Sequence, residues 1–335
     1  MIIAYRGNFQ PGLPEGVVPW STESHVAATL ELLGHTVIRL QEDTVPWPEV
    51  VNACRSADIF LWTSTFSMAH IWDQRQAWDA VRTLNTMLPT AAFHLDRFFD
   101  LPRESQVVSE PWFRLNHVFT ADGGNQHRFA SFDINHHWLP PAVFQPECFL
   151  GTPTRPYLSD IAFVGSWRGH YHPESKHRFA LIQHLQHYYR NRIRFWPIRE
   201  AIRGADLNNL YASAKVIVGD SCLVGTPAAK MYWSDRISET TGRGGFLLHP
   251  SVPGLSDYHP HLTTFPAFEW STLRDLINHY LAHPDERESI RLLNHEHTKA
   301  NNTYTNRMTE LLSIVTANTR SDAIAQITHF TQEAR

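Results

Sequence analysis

Short apolar runs alternate with segments of helical spacing along nearly the whole chain, and this alternation constrains the fold more than any other feature. Ile2–Tyr5, His35–Leu40, Asp58–Trp62, Thr90–His94, His117–Thr120 and His136–Leu139 read as strands. Between them, Ser21 is placed to cap a helix carrying Val26, Leu30 and Leu33, with Gly34 as its stop. Pro46–Ser56, Asp73–Met87 and the residues around Asn125–Ser131 read as further helices. Strands joined in series by crossover helices predict a parallel, doubly wound sheet.

A turn-rich stretch with Pro140, Pro141, Pro146, Gly151, Pro153 and Pro156 interrupts the pattern and reads as a hinge. The alternation then restarts, with strands expected at Asp160–Val164, Arg192–Trp196, Lys215–Gly219 and Gly245–Leu248. Helices are expected at Glu174–Tyr189, Asp206–Ala212, Met231–Thr241 and Ser271–Ala282, with a helical tail from Pro284. The predicted class is α/β: one Rossmann-like lobe over residues 1–145 and a second over 146–315. Residues 316–335 form an expected C-terminal helix packing back on the first lobe. The 335-residue length suits two such lobes.

With 42% hydrophobic and 19% charged residues the chain is not predominantly disordered. No apolar run approaches the ~18–20 residues that span a bilayer. Three cysteines offer no paired framework and the first residues lack a basic flank and a long apolar region, so a cytoplasmic protein with reduced thiols is expected. The net charge of −4 is unevenly spread: residues 1–150 hold nine Arg and no Lys against 16 acidic residues, net −7, and the remainder is net +3. An acidic first lobe is no obvious surface for a polyanion.

Phe163-Val164-Gly165-Ser166-Trp167-Arg168-Gly169 places a glycine turn after a strand, where backbone N–H groups can approach an anion. Its spacing is not the dinucleotide fingerprint, and no P-loop occurs in the chain. On the expected helix, Tyr232, Arg236 and Glu239 lie at i, i+4 and i+7 and share a face. An Arg there can hold a diphosphate bidentately and a Glu can accept from ribose hydroxyls. Spacing alone equally allows an Arg236–Glu239 ion pair on a solvated face.

For a general base, Phe93-His94-Leu95-Asp96-Arg97 follows a first-lobe strand, and Asp96 or His94 can take a proton there. The alternative is that Asp96 caps a turn and His94 is a core residue. Glu23 and His25, near the first helix start, are further candidates, and Gly7 and Asp122 join them on the acceptor side. His170-x-His172, His259-x-His261, His295-x-His297 and His136-His137 lack zinc-site spacing, so no metal is expected. There is no D-x-D triplet, and Gly219-Asp220-Ser221-Cys222-Leu223 lacks the final glycine of a nucleophile elbow.

Several segments together resemble the CgeB-like family of glycosyltransferases with the two-lobe GT-B architecture. They are Asp160–Gly165, Val218-Gly219-Asp220-Ser221, the run from Ser234-Asp235-Arg236 to Gly245, Tyr280–Arg287 and Thr303–Arg307. Upstream, Val118–Gly124 and Trp138–Ala142 resemble the end of that family's first lobe. The resemblance implies a nucleoside-diphosphate sugar, UDP-linked by expectation, as co-substrate in a cleft between the lobes, with no permanently bound cofactor. It implies metal-independent transfer to a hydroxyl acceptor, which is a glycan, a protein, a small molecule or a modified DNA base. Glu239 would then bind the ribose and Arg236 the diphosphate, with catalytic duty on Arg236, Asp96 and His94. Gly165, Ser166, Trp167, Arg168, Asp220, Lys230, Tyr232, Gly242, Gly244 and Gly245 complete the expected donor site. A sugar-nucleotide epimerase and a non-catalytic sugar-nucleotide binding protein are the alternatives on the same scaffold.

Overall fold

The structure, a computed structural model, describes residues 1–10, 20–64, 74–165, 176–196, 202–226 and 228–317. Its contacts divide the chain into two units. The first comprises Met1–Thr120, Asn125–Leu139 and the described residues from Tyr304 on; the second comprises Ala121–Gly124 and Pro140–Thr303. Apart from the short excursion at Ala121–Gly124, the units divide at 139/140 and 303/304, where the sequence reading places 145/146 and 315/316. Residues 318–335, most of the expected C-terminal helix, lie outside the described residues.

The first unit holds strands β1 (Ile2–Gly7), β2 (Thr36–Gln41), β3 (Ile59–Trp62), β4 (Thr90–His94), β5 (His117–Thr120) and β6 (His136–Trp138). They form one sheet in the order β2-β1-β3-β4-β5-β6, with every pair parallel. Its helices are α1 (Thr22–Leu32), α2 (Trp47–Ala53), α3 (Gln74–Met87), α4 (Gln106–Ser109) and α5 (Gln126–Ala130). Ser21 caps α1 by accepting from Ser24 N at 3.1 Å, and Gly34, at φ 84°, supplies the left-handed residue after it. Trp47, Phe60, Trp62, Phe98, Phe99, Trp112, Phe113 and Phe129 fill the core. A helix over residues 304–317 buries Tyr304, Met308, Leu311, Leu312 and Val315 at helical spacing in the same unit.

The second unit holds β7 (Ser159–Val164), β8 (Ile193–Trp196), β9 (Ala214–Val218), β10 (Leu247–Pro250) and β11 (Thr263–Phe265). The sheet is parallel throughout, in the order β11-β10-β9-β7-β8. Around it lie α6 (Lys176–Tyr189), α7 (Gly204–Ser213), α8 (Arg236–Gly242), α9 (Leu255–Tyr258), α10 (Trp270–Ala282) and α11 (Pro284–Asn301). In each sheet the strand order reverses once, between β1 and β3 and between β7 and β9, and open α/β sheets bind ligands at the carboxyl ends of such strands. No helix among the described residues is long and apolar enough to cross a membrane.

Candidate active site

At the reversal in the second sheet, β7 ends at Val164-Gly165 and β9 runs into Gly219-Asp220. Helix α8 starts at the same edge, and its first residue, Arg236, reaches across both strand ends. Arg236 Nε donates to the Val164 carbonyl at 2.9 Å and Nη1 to the Asp220 carbonyl at 2.6 Å. The two glycines make this possible. A Cβ on Gly165 would overlap Arg236 Nη2, and one on Gly219 would lie 2.9 Å from Leu247 Cδ1 and 3.4 Å from Arg236 Cδ. Burial and the neighbouring Arg178 charge push Arg236 below the usual arginine range.

Asp220 is fully buried. Its carboxylate accepts from His177 Nδ1 and Arg178 Nε, each at 2.9 Å, from the first turn of α6. Burial opposes the charged form, but the His177 hydrogen bond and the charges of Arg178, His177 and Arg236 outweigh it and hold the carboxyl at about 2. Asp220, expected to touch a donor, is instead enclosed by protein and positions His177 and Arg178. Two guanidiniums, Arg178 and Arg236, meet the one buried carboxylate of Asp220 where β7 ends and α6 begins, with Asp235 at the exposed start of α8, and the paired guanidiniums can receive an anion.

Ser221 accepts from Ser234 N at 3.0 Å and lies 2.9 Å from His249 Nε2. His249 Nδ1 is 2.7 Å from the Pro250 carbonyl, which only accepts, so Nδ1 carries the proton and Nε2 accepts from Ser221. Burial pushes His249 down to about 4, so the ring is neutral near pH 7. This clip explains why α8 begins at Arg236 rather than at Met231. Met231 sits at φ 51° with its N–H on the Pro253 carbonyl, and Ser234 is tied to Ser221 and the Asp220 carbonyl. Tyr232 accordingly precedes the helix and packs with Ala121, Cys222 and Leu223, so it does not share a helical face with Arg236 and Glu239.

Glu239 pairs with Arg243, not Arg236: Arg243 Nε donates to Glu239 Oε2 at 2.7 Å. Arg243 also binds Glu147 and, at 2.8 Å, Asn208 Oδ1. The Glu239 side chain stays 21% exposed. Gly242, Gly244 and Gly245 lie where α8 turns back into β10, at the amino edge of the sheet and so at the opposite end from Gly165. They serve packing there: a Cβ would press Gly242 on Val143 and Gly245 on Ile217 and Thr240. Lys230 is exposed and runs beside Gly124. Ser166, Trp167 and Arg168 lie outside the described residues.

In the first unit, His94 and Asp96 follow the carboxyl end of β4. His94 Nε2 is 2.7 Å from the Ser64 carbonyl and Nδ1 is 3.3 Å from Asp96 N, so Nε2 donates and Nδ1 accepts. The ring also stacks on Trp112. Asp96 leaves its carboxylate 44% exposed. Glu23, on the first turn of α1, packs against Gly7, where a Cβ would lie 2.8 Å from Glu23 Cγ. Glu23 and His25 are buried and Asp122 is fully so, and Asp122 groups with the second unit. Burial suits these three to support, not to acceptor contact.

Residues 170–313 match the glycosyl transferase-like family. The fold, two parallel sheets flanked by helices, matches that of GT-B glycosyltransferase structures. Among solved structures, it is similar to an alpha-glucosyltransferase in complex with UDP-glucose and DNA containing an abasic site, at 10% identity and TM-score 0.65, covering 94% of this chain and 99% of that one. It is similar to sucrose-phosphate synthase from Thermosynechococcus elongatus, at 11% identity and TM-score 0.60, over 95% and 99% of the two chains. A third is alpha,alpha-trehalose 6-phosphate synthase from Burkholderia multivorans, at 10% identity and TM-score 0.63, over 97% and 98%. None of the curated proteins matches the sequence.

Sequence reasoning missed His177, Arg178, His249 and Arg243. One signal was present: Lys176-His177-Arg178 is a basic triplet opening the helix that follows the strand–glycine turn.

Proposed function

We propose that the protein is a glycosyltransferase of the CgeB-like type that moves a sugar from a UDP-sugar to a hydroxyl acceptor. The observation that carries this reading is the Arg178–Asp220–Arg236 cluster at the bare glycine end of β7. Similar structures in complex with UDP and UDP-glucose support the choice of donor. Arg236 and Arg178 neutralise charge on the departing diphosphate, where electrostatic stabilisation contributes most to the rate. Glu239, steadied by Arg243, accepts from the ribose hydroxyls. Asp96 is assigned as general base because both His94 nitrogens are engaged, whereas its own carboxylate is accessible.

A modified DNA base is a second reading of the acceptor, favoured by the alpha-glucosyltransferase–DNA complexes among the similar structures. Duplex binding that weakens steeply with salt supports it, and no binding at low salt removes it. The transferase reading itself is tested by thermal shift against nucleoside diphosphates and by UDP release from UDP-glucose. UDP raises the melting midpoint if the reading holds. A panel in which no nucleoside diphosphate shifts it overturns the reading.

A further inference from the structure

A separate group of side chains lies at the junction of α10 and α11. His279, in the last turn of α10, and His283, its C-cap, stand four residues apart with their rings stacked at 4.2 Å. Glu286, in the first turn of α11, turns back onto them, and its Oε2 lies 2.7 Å from His279 Nε2. One ring nitrogen of each histidine and a carboxylate oxygen of Glu286 all lie within 4.8 Å of one another.

We propose that His279, His283 and Glu286 form a surface site for a borderline divalent transition metal of the zinc class. Two imidazoles and one carboxylate are the donor set of an open zinc site, with the remaining position left to water. In a tetrahedral site with bonds of about 2.0–2.1 Å, ligand atoms are roughly 3.4 Å apart, so small side-chain rotations close the set. The histidine protonation suits this use. His283 Nδ1 lies 2.8 Å from the His279 carbonyl and must donate to it, which leaves the lone pair on Nε2. A ring N–H held by a backbone carbonyl is the usual way a metal-binding imidazole is oriented. The short His279–Glu286 contact marks where an ion would replace a shared proton. Joining the end of one helix to the start of the next, the metal ties α10 to α11 and leaves the Arg236 cluster unaltered.

The test is titration of the chelator-stripped full chain with zinc chloride, followed by calorimetry and by competition with a chromophoric chelator. One ion per chain is expected at micromolar affinity. His279→Ala and His283→Ala lower that affinity at least tenfold and Glu286→Gln lowers it less, while UDP affinity and the far-UV spectrum stay those of the wild type. His261→Ala, which alters a different histidine cluster, retains the site. Wild-type affinity in the His279→Ala/His283→Ala double variant overturns the proposal, as does loss of binding that follows His261.

Discussion

A methyl group on Gly165 would stand where the Arg236 guanidinium now lies, and Arg236 holds that place through a 2.9 Å hydrogen bond to the Val164 carbonyl. Gly165 also has φ 139°, a conformation that side-chain-bearing residues rarely adopt. Gly165→Ala should therefore cost about 1–3 kcal/mol of stability and also displace Arg236. Urea unfolding and UDP titration of this one variant should show both losses together.

The Asp220 carboxylate is buried between His177 and Arg178, and Asp220→Asn leaves Arg178 without its counter-charge. Removing one partner of a buried pair costs about 3–5 kcal/mol, which urea unfolding reads directly. Wild-type protein should show the same interaction in acid. The carboxyl is depressed from 3.8 to about 2 in the folded state, so its stabilising contribution is complete above pH 3.8 and is lost as pH falls toward 2. The loss is about 2 kcal/mol.

His249 is depressed from 6.5 to about 4 by burial, and in the first unit burial likewise depresses His117 to about 4 and His136 to about 3. A histidine kept neutral in the fold contributes stability above its unfolded value and loses it as pH falls through the folded one. Urea midpoints should thus decline between pH 6.5 and 4, with His249 alone accounting for about 3 kcal/mol. His249→Gln should flatten that part of the profile, and a flat wild-type profile contradicts the assignment.

Glu239 keeps one oxygen on Arg243 and a partly exposed side chain. If it reads the ribose, wild-type protein prefers UDP to 2′-deoxy-UDP, and Glu239→Ala binds the two equally. Calorimetric titration with both nucleotides gives the comparison. A preference that survives in Glu239→Ala removes this role.

Asp96→Asn should lower kcat by roughly 10²–10⁴-fold with little change in donor affinity, as expected for a base that acts in the chemical step. His94→Asn should act more mildly, through loss of the hydrogen bonds to Ser64 and Asp96. Initial rates with a working acceptor rank the two variants.

The strands β4 and β5 were legible to the residue because each apolar run is bounded by turn residues. β11, three residues long, and α9, four residues long, offer too little periodicity to register. The start of α8 was misplaced because local spacing continues through Tyr232, whereas Ser221, His249 and Pro253 hold that segment from distant parts of the chain. Arg236 and Gly165 were both expected near a donor, but their mutual fit depends on a crossover connection. Arg178 was invisible because a cation on the first turn of a helix reads as solvated, and its partner Asp220 is 42 residues away. The same distance effect hid Glu147, 96 residues from Arg243, whereas Glu239 stands only one helical turn from Arg243.

The central claim, that the Arg178–Arg236 cluster holds the diphosphate of a UDP-sugar, is tested most directly by calorimetric titration of UDP and of uridine into wild-type and Arg236→Ala protein. The account predicts that wild type binds UDP much more tightly than uridine, and that Arg236→Ala loses at least tenfold in UDP affinity while its uridine affinity is unchanged. UDP binding of equal strength in the two proteins, with the variant shown to be folded, would contradict it.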